Sequence, residues 1–273
     1  MSDLLAALAT LAVTVVAVAS YSIFIVVRVR PRFARVEKEG ESVLLGPRLM
    51  EATHWTLEPL GRACVRAGIS ANHVTGASLV LGAGAGLALG SGHWGIGGAL
   101  AAISAFGDTL DGIVARAANT CSPAGETLDA AVDRYNDFFF LAGVAYAVRG
   151  RPGLFVLALG AISASFMVSY ASAKAEAMQA TVSRGSMRRP ERAAYLTLGV
   201  LLVPIVSAFW PDYALTPVAL SLGLVAIVGN ASAVRRFAQL MAFVRGARPQ
   251  RSVASEAKPA VARTRSEVEG AYP

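Results

Sequence analysis

A chain of 273 residues that is 55% hydrophobic, 16% charged and has a mean hydropathy of +0.52 is too apolar for a soluble enzyme and reads as an integral membrane protein. Its formal net charge of +7 calls for no nucleic-acid partner, and none is expected. Two cysteines, Cys64 and Cys121, lack metal-type spacing, and no disulfide is expected.

Residues 4–27 form an uncharged run long enough to cross a bilayer, for which about 20 helical residues suffice. The run lacks a basic segment before it and a small-residue cleavage pattern before Arg28, so it is expected to be a retained anchor. Residues 48–66, RLMEATHWTLEPLGRACVR, set Leu49, Trp55, Leu57, Leu60 and Val65 among charges, the pattern of an amphipathic helix in the membrane interface. The longest uncharged run, 67–107, is broken by GSGHWG at 90–95, which predicts two spans joined by a tight turn. A span from about 125 to 148 follows, then uncharged runs at 152–173, 193–211 and 213–234. From about Arg245 the chain is rich in Arg, Ser, Ala and Pro without apolar periodicity, which predicts disorder.

The expected architecture is all-α, with a transmembrane anchor at 1–27 and a cytoplasmic linker carrying the interfacial helix at 28–68. A six-helix membrane domain at 69–240, surrounded by membrane lipids, follows, then a disordered basic cytoplasmic tail at 241–273, read as solubilising in preference to its rival role of touching anionic lipid heads through its Arg residues. Of the 25 Lys and Arg, eight lie in 28–66, five in 174–192 and eight from Arg235 onward, while the opposite connections hold only Arg149 and Arg151. The positive-inside rule puts the three basic regions in the cytoplasm, as expected for a multi-pass protein of the cell (inner) membrane.

The stretch GDTLDGIVARAANTCSPAGETLDAAVDRYND at 107–137 conflicts with this apolar background. An ionised carboxylate inside a spanning helix costs about 2.5–3.5 kcal/mol on insertion scales, so a cluster of them needs a partner. Asp108 and Asp111 are spaced i, i+3 and Asp129 and Asp133 i, i+4, so each helix collects its acids on one face. A short link with Asn119, Ser122 and Pro123 makes the two helices antiparallel neighbours, and the four acids can converge just below the cytoplasmic interface. Clustered hard oxygens suit Mg²⁺ or Mn²⁺, so Asp108, Asp111, Asp129 and Asp133 are read as metal ligands. Gly112 and Ala115 leave space beside them, and Arg116 offers a fork suited to phosphate. The rival reading makes these acids helix caps and ion-pair partners of Arg116 and Arg134.

At these residues the sequence resembles the CDP-alcohol phosphotransferase family, whose signature is Asp-x2-Asp-Gly-x2-Ala-Arg, a short spacer, then Gly-x3-Asp-x3-Asp. The positions are filled here by Asp108, Asp111, Gly112, Ala115, Arg116, Gly125, Asp129 and Asp133, with eight residues between Arg116 and Gly125. The resemblance implies a six-helix core of that family's type, to which 4–27 is an addition. It also implies a homodimeric membrane enzyme using two divalent cations to displace CMP from a CDP-linked lipid such as CDP-diacylglycerol. Carried over, Asp133 is a ligand or the general base that takes the attacking hydroxyl's proton, and Gly112, Ala115 and Arg116 receive the cytidine nucleotide. SANHVTGAS at 70–78 resembles the family's Asn-x-x-Thr, which assigns Asn72 and Thr75 to the nucleotide site. Helix capping by Ser70 or Asn72 is the rival there.

The acceptor is read from a basic loop holding Lys174, Arg184, Arg188, Arg189 and Arg192. With DRYND at 133–137, this stretch resembles the branch making phosphatidylinositol phosphate or archaeal counterparts, which assigns Lys174 and Arg192, with Arg235 or Arg236 a third, to an acceptor phosphate. Inositol phosphate and glycerol 3-phosphate both fit, and an unphosphorylated alcohol is the alternative. A membrane cation or proton transporter is the alternative from another class, and it predicts acids spread across the membrane.

Overall fold

The structure is a computed structural model that describes residues 1–27, 47–180 and 185–246. In chain order the helices are α1 (Ser2–Val27), α2 (Pro47–Arg66), α3 (Ala71–Gly90), α4 (Trp94–Ala117), α5 (Pro123–Ala147), α6 (Pro152–Ala177) and α7 (Arg189–Phe209). A 3₁₀ turn, Pro211–Tyr213, leads into α8 (Thr216–Leu224), which passes through a π-helical segment at Val225–Gly229 into α9 (Asn230–Gly246). No strand occurs among the described residues, and the protein is an all-helical, multi-pass membrane protein.

Local chemistry sets the helix ends. Ser122 accepts a hydrogen bond from the Gly125 amide at 3.1 Å and Pro123 opens α5, where a missing N–H is harmless. Asn119, at φ +54°, and Gly92, at φ +85°, supply the left-handed residues that let the chain reverse after α4 and α3. Ser70 caps α3, accepting from the His73 amide, so the capping role falls to Ser70 and Asn72 is left exposed.

Among the described residues, six helical stretches are long and apolar enough to span a membrane: α1, α3, α4, α6, α7 and the rod at Pro211–Gly246. The seventh expected span, α5, has the length, 25 residues, but the stretch from its start to Asp137 carries Glu126, Asp129, Asp133, Arg134 and Asp137. At the π turn Asn230 Nδ2 donates to Ala226 O at 2.7 Å and, across to α6, to Gly160 O at 3.0 Å, tying the irregular segment to its neighbour. It continues through Gly246, past the boundary expected at 240. The rest of the tail expected to be disordered lies outside the described residues, as do residues 28–46 of the linker.

One expectation about packing changes, and a second helix shows contacts the sequence did not reveal. Helices α4 and α5 run antiparallel but touch only slightly, because α3 packs extensively against both. Glycine makes this possible: a Cβ at Gly86 would run into the Phe139 carbonyl, one at Gly143 into the Gly86 carbonyl, and one at Gly82 into Asn136. Helix α2, expected to lie in the membrane interface, also packs against α1. Its Glu51 and Ala52 are buried, the Tyr21 hydroxyl donates to Glu51 Oε2 at 2.7 Å, and Trp55 lies 5.1 Å and 5.9 Å from the rings of Phe24 and Tyr21. At its other end α1 docks through Asp3, whose Oδ1 accepts the Ile96 amide of α4 at 2.9 Å. The main core lies between α5, α6, α7 and α8 around Leu141, Val144, Ala161, Val200 and Leu222.

Close backbone approach at Gly86 gives a direct test. Gly86→Val is expected to destabilise the bundle by about 1–3 kcal/mol through overpacking, read as a lower unfolding midpoint in detergent. Gly223→Ala, where a Cβ meets nothing within 4 Å, is expected to leave the midpoint unchanged or raise it.

Candidate active site

The acids gather at one end of the bundle, where the last turns of α4 meet the first turns of α3, α5 and α7. Asp111 is buried and accepts a hydrogen bond from Thr75 Oγ1 at 2.7 Å. One turn earlier, Asp108 Oδ1 accepts from Ser78 Oγ at 2.9 Å, and Asn136 Nδ2 reaches the same hydroxyl at 3.4 Å. Asp108 and Asp129 both lie close enough to Asp111, and to Asp133, to act on it electrostatically. The four expected acids therefore share one zone.

A guanidinium occupies the space between the helices. Arg189, the first residue of α7, places Nη2 2.6 Å from Asp108 Oδ2, Nη1 2.7 Å from Asp133 Oδ1 and Nε 3.5 Å from Asp137 Oδ1. This is the counter-charge that a carboxylate cluster beside lipid requires. Of the two arginines expected as rival partners, Arg134 turns its Nη1 back to Ala130 O at 2.6 Å, and Arg116 lies at the exposed end of α4. Among the described residues, no three acidic, His or Cys side chains close into a ready metal cage.

The donor set nevertheless fits a hard divalent cation. It consists of carboxylate oxygens, and the buried Asp133 Oδ1, although paired in charge with Arg189, lacks an aligned hydrogen bond. An oxygen held close to positive charge without a directed donor is chemically suited to a spherical ion.

A second layer of cations stands behind Arg189. Arg192 is 2% exposed, and its Nη2 reaches Asp137 Oδ2 at 3.0 Å and Ser169 Oγ at 3.3 Å, while Nη1 donates to Met187 O at 2.8 Å. Glu191 fixes this corner by accepting the amides of Met187 and Arg188 at 2.7 Å and 3.2 Å. Arg236, from α9, donates to Ser172 Oγ at 2.5 Å and to Ser186 O at 3.2 Å. A cavity of about 50 Å³ opens beside Asp108, Asp137, Arg189 and Arg192.

The structure thus brings together Thr75, Asp108, Asp111, Asp129, Asp133 and Arg192. Gly112 and Ala115, half-buried, occupy the same end of α4. Asn72 and Lys174 are at this end but exposed, and the Lys174 side chain has no hydrogen bond or ion pair among the described residues. Ser78, Asn136, Asp137 and the acid-pairing role of Arg189 escaped the sequence reading. For Asp137 a signal was present: it extends the Asp129, Asp133 stripe by another four residues.

Comparison with known proteins agrees with this geometry. The family model for CDP-alcohol phosphatidyltransferase matches residues 69–229. Phosphatidylinositol phosphate synthase from Mycobacteroides abscessus is 32% identical over 181 residues, covering 65% of this chain and 82% of the relative. Archaetidylinositol phosphate synthase from Methanothermobacter thermautotrophicus is 31% identical over 150 residues, covering 55% and 75%. Among solved structures, Mycobacterium tuberculosis phosphatidylinositol phosphate synthase with CDP-DAG bound aligns with a TM-score of 0.59 at 27% identity, covering 67% of this chain and 92% of that one. The same enzyme in complex with manganese and citrate aligns with a TM-score of 0.60 at 25% identity, covering 68% and 88%. Its signature helices, its core and these matches agree: the chain belongs to the CDP-alcohol phosphatidyltransferase family and is a membrane-embedded transferase.

Proposed function

We propose that this enzyme transfers the phosphatidyl group of CDP-diacylglycerol to a hydroxyl of a phosphorylated polyol, inositol phosphate or glycerol 3-phosphate, and releases CMP. The observation that carries the reading is the convergence of Asp108, Asp111, Asp129 and Asp133 beside Arg189 and Arg192 at one end of the bundle. The acceptor oxygen forms a bond to the phosphorus that carries the diacylglycerol, the bond from that phosphorus to the CMP oxygen breaks, and the hydroxyl proton passes to Asp133.

Asp108, Asp111, Asp129 and Asp133 would hold two divalent cations, Mg²⁺ or Mn²⁺. Once bound, these would polarise the diphosphate and offset charge developing on the departing CMP. Thr75 holds Asp111 in place, and Ser78 does the same for Asp108. Gly112 and Ala115 leave room for the nucleotide, with Arg116, Asn72 and Thr75 at its edge. Arg192, whose Nε is buried without a hydrogen bond, faces the acceptor phosphate together with Lys174. The acceptor's negative charge would also draw Arg189 away from Asp133 and so release the base.

The positive-inside pattern supports an active site facing the cytoplasm from the inner membrane, and the family resemblance supports a homodimer. A transporter fits poorly, because α3 carries no acidic side chain, α4 carries none before Asp108 and α5 none beyond Asp137.

Purified enzyme supplied with CDP-diacylglycerol, a divalent cation and a polyol phosphate is expected to release CMP, and Asp133→Asn to lower that rate by about 10²–10⁴-fold. Undiminished turnover of the variant would remove Asp133 from the proton transfer. Chelation with EDTA is expected to abolish turnover and added Mn²⁺ or Mg²⁺ to restore it; turnover that persists in EDTA would exclude the metal reading. Arg192→Gln is expected to raise KM for the polyol phosphate well above any change in KM for CDP-diacylglycerol. An equal rise in both constants would point to a structural role for Arg192.

A further inference from the structure

At the end of the bundle opposite the acids, a cleft of about 800 Å³ opens between the start of α1, the α3–α4 turn, the α5–α6 turn and the end of α7. Its volume is that of a ligand site, and the transfer chemistry makes no use of it. Arg149 and Arg151 stand in its lining, both exposed. They are the two basic residues that the charge pattern of the chain strands on this side of the membrane.

Among the described residues, neither guanidinium has a carboxylate at ion-pair distance. Arg149 is nevertheless held in one orientation: Nη1 donates to Tyr146 O at 2.8 Å, and the guanidinium carbon lies 4.1 Å from the centroid of the Tyr146 ring. Asp3 is the acid in the lining, and its Oδ1 is engaged by the Ile96 amide. The cleft therefore presents positive charge. Its other wall is apolar, built from Leu4, Val203 and Leu215. Because Leu4 and Asp3 come from α1, the helix added to the six-helix core forms one side of the cleft.

We propose that this cleft binds an anionic phospholipid of the leaflet opposite the active site, its phosphate on Arg149 and Arg151 and the upper part of an acyl chain against Leu4, Val203 and Leu215. An arginine pair matches a phosphate in charge and in geometry. A free phosphate would complement the arginines but leave the apolar wall facing water, whereas a lipid headgroup with its attached chain covers both. Trp94 and Tyr146 in the lining fit the headgroup level of a bilayer, where aromatic side chains concentrate. The site would give α1 a role separate from catalysis, and it holds whichever acceptor the enzyme uses.

The test uses the full chain in phosphatidylcholine nanodiscs doped with phosphatidylglycerol, with retained phosphatidylglycerol per chain measured by native mass spectrometry. Wild type is expected to hold one more phosphatidylglycerol than the Arg149→Gln, Arg151→Gln double variant, whose affinity at the cleft falls about thirtyfold. Leu4→Asp is expected to lose the same lipid while both arginines remain. Unfolding midpoints in pure phosphatidylcholine, the same for all three proteins, would show that the fold is intact. Equal retention by wild type and the double variant would overturn the proposal. Displacement of the lipid from wild type by inorganic phosphate would also overturn it, since the cleft would then be a site for a soluble anion.

Discussion

Carboxylates held beside lipid must be matched by positive charge, and in this protein that requirement organises a whole end of the bundle. Asp108, Asp133 and Asp137 come from two helices that barely touch, and the guanidinium of Arg189 spans all three. For that to happen the first turn of α7 must sit over the acids in one position. Glu191 secures it by binding the two amides just before the helix, and Arg192 ties the same turn to Asp137, Ser169 and the Met187 carbonyl. Breaking such a buried pair by removing one partner is costly, which makes the corner stiff. A stiff corner suits an enzyme that must align an alcohol and a diphosphate.

Helix α3 links this electrostatic end to the packing of the rest. Thr75, Ser78, Gly82 and Gly86 lie on one stripe of the helix, three or four residues apart. At the acid end the stripe carries hydroxyls that bind Asp111 and Asp108; further along it carries glycines that let the backbone meet α5. The close contact at Gly86 and Gly143 therefore brings α5 near enough for Asn136 to reach the Ser78 hydroxyl that binds Asp108. Small-residue packing is how membrane helices approach closely, since lipid provides little hydrophobic drive for them to do so.

The two ends of the bundle divide their tasks by charge. One end concentrates acids and then surrounds them with arginines; the other sets Arg149, Arg151 and the engaged Asp3 in the lining of a cleft partly walled by α1. That helix is anchored at both ends, by Asp3 on α4 and by Tyr21 and Phe24 on α2, so it is a fitted part of the bundle rather than a loose leader.

The sequence by itself determined the membrane class, the helices and the acid signature, because lipid forces apolar runs of fixed length and because Asp108, Asp111, Asp129 and Asp133 recur at helical spacing within short segments. It also contained Asp137 in the same periodic stripe, though nothing in the spacing said which cation that acid would meet. Only the tertiary structure decided that α3 lies between the signature helices and that Arg189, 81 residues from Asp108, is the acids' counter-charge. It also decided that Thr75 and Ser78 are their hydrogen-bond donors. Those partners lie far apart along the chain, and residues so separated are brought together by packing and charge neutralisation, which no local periodicity records.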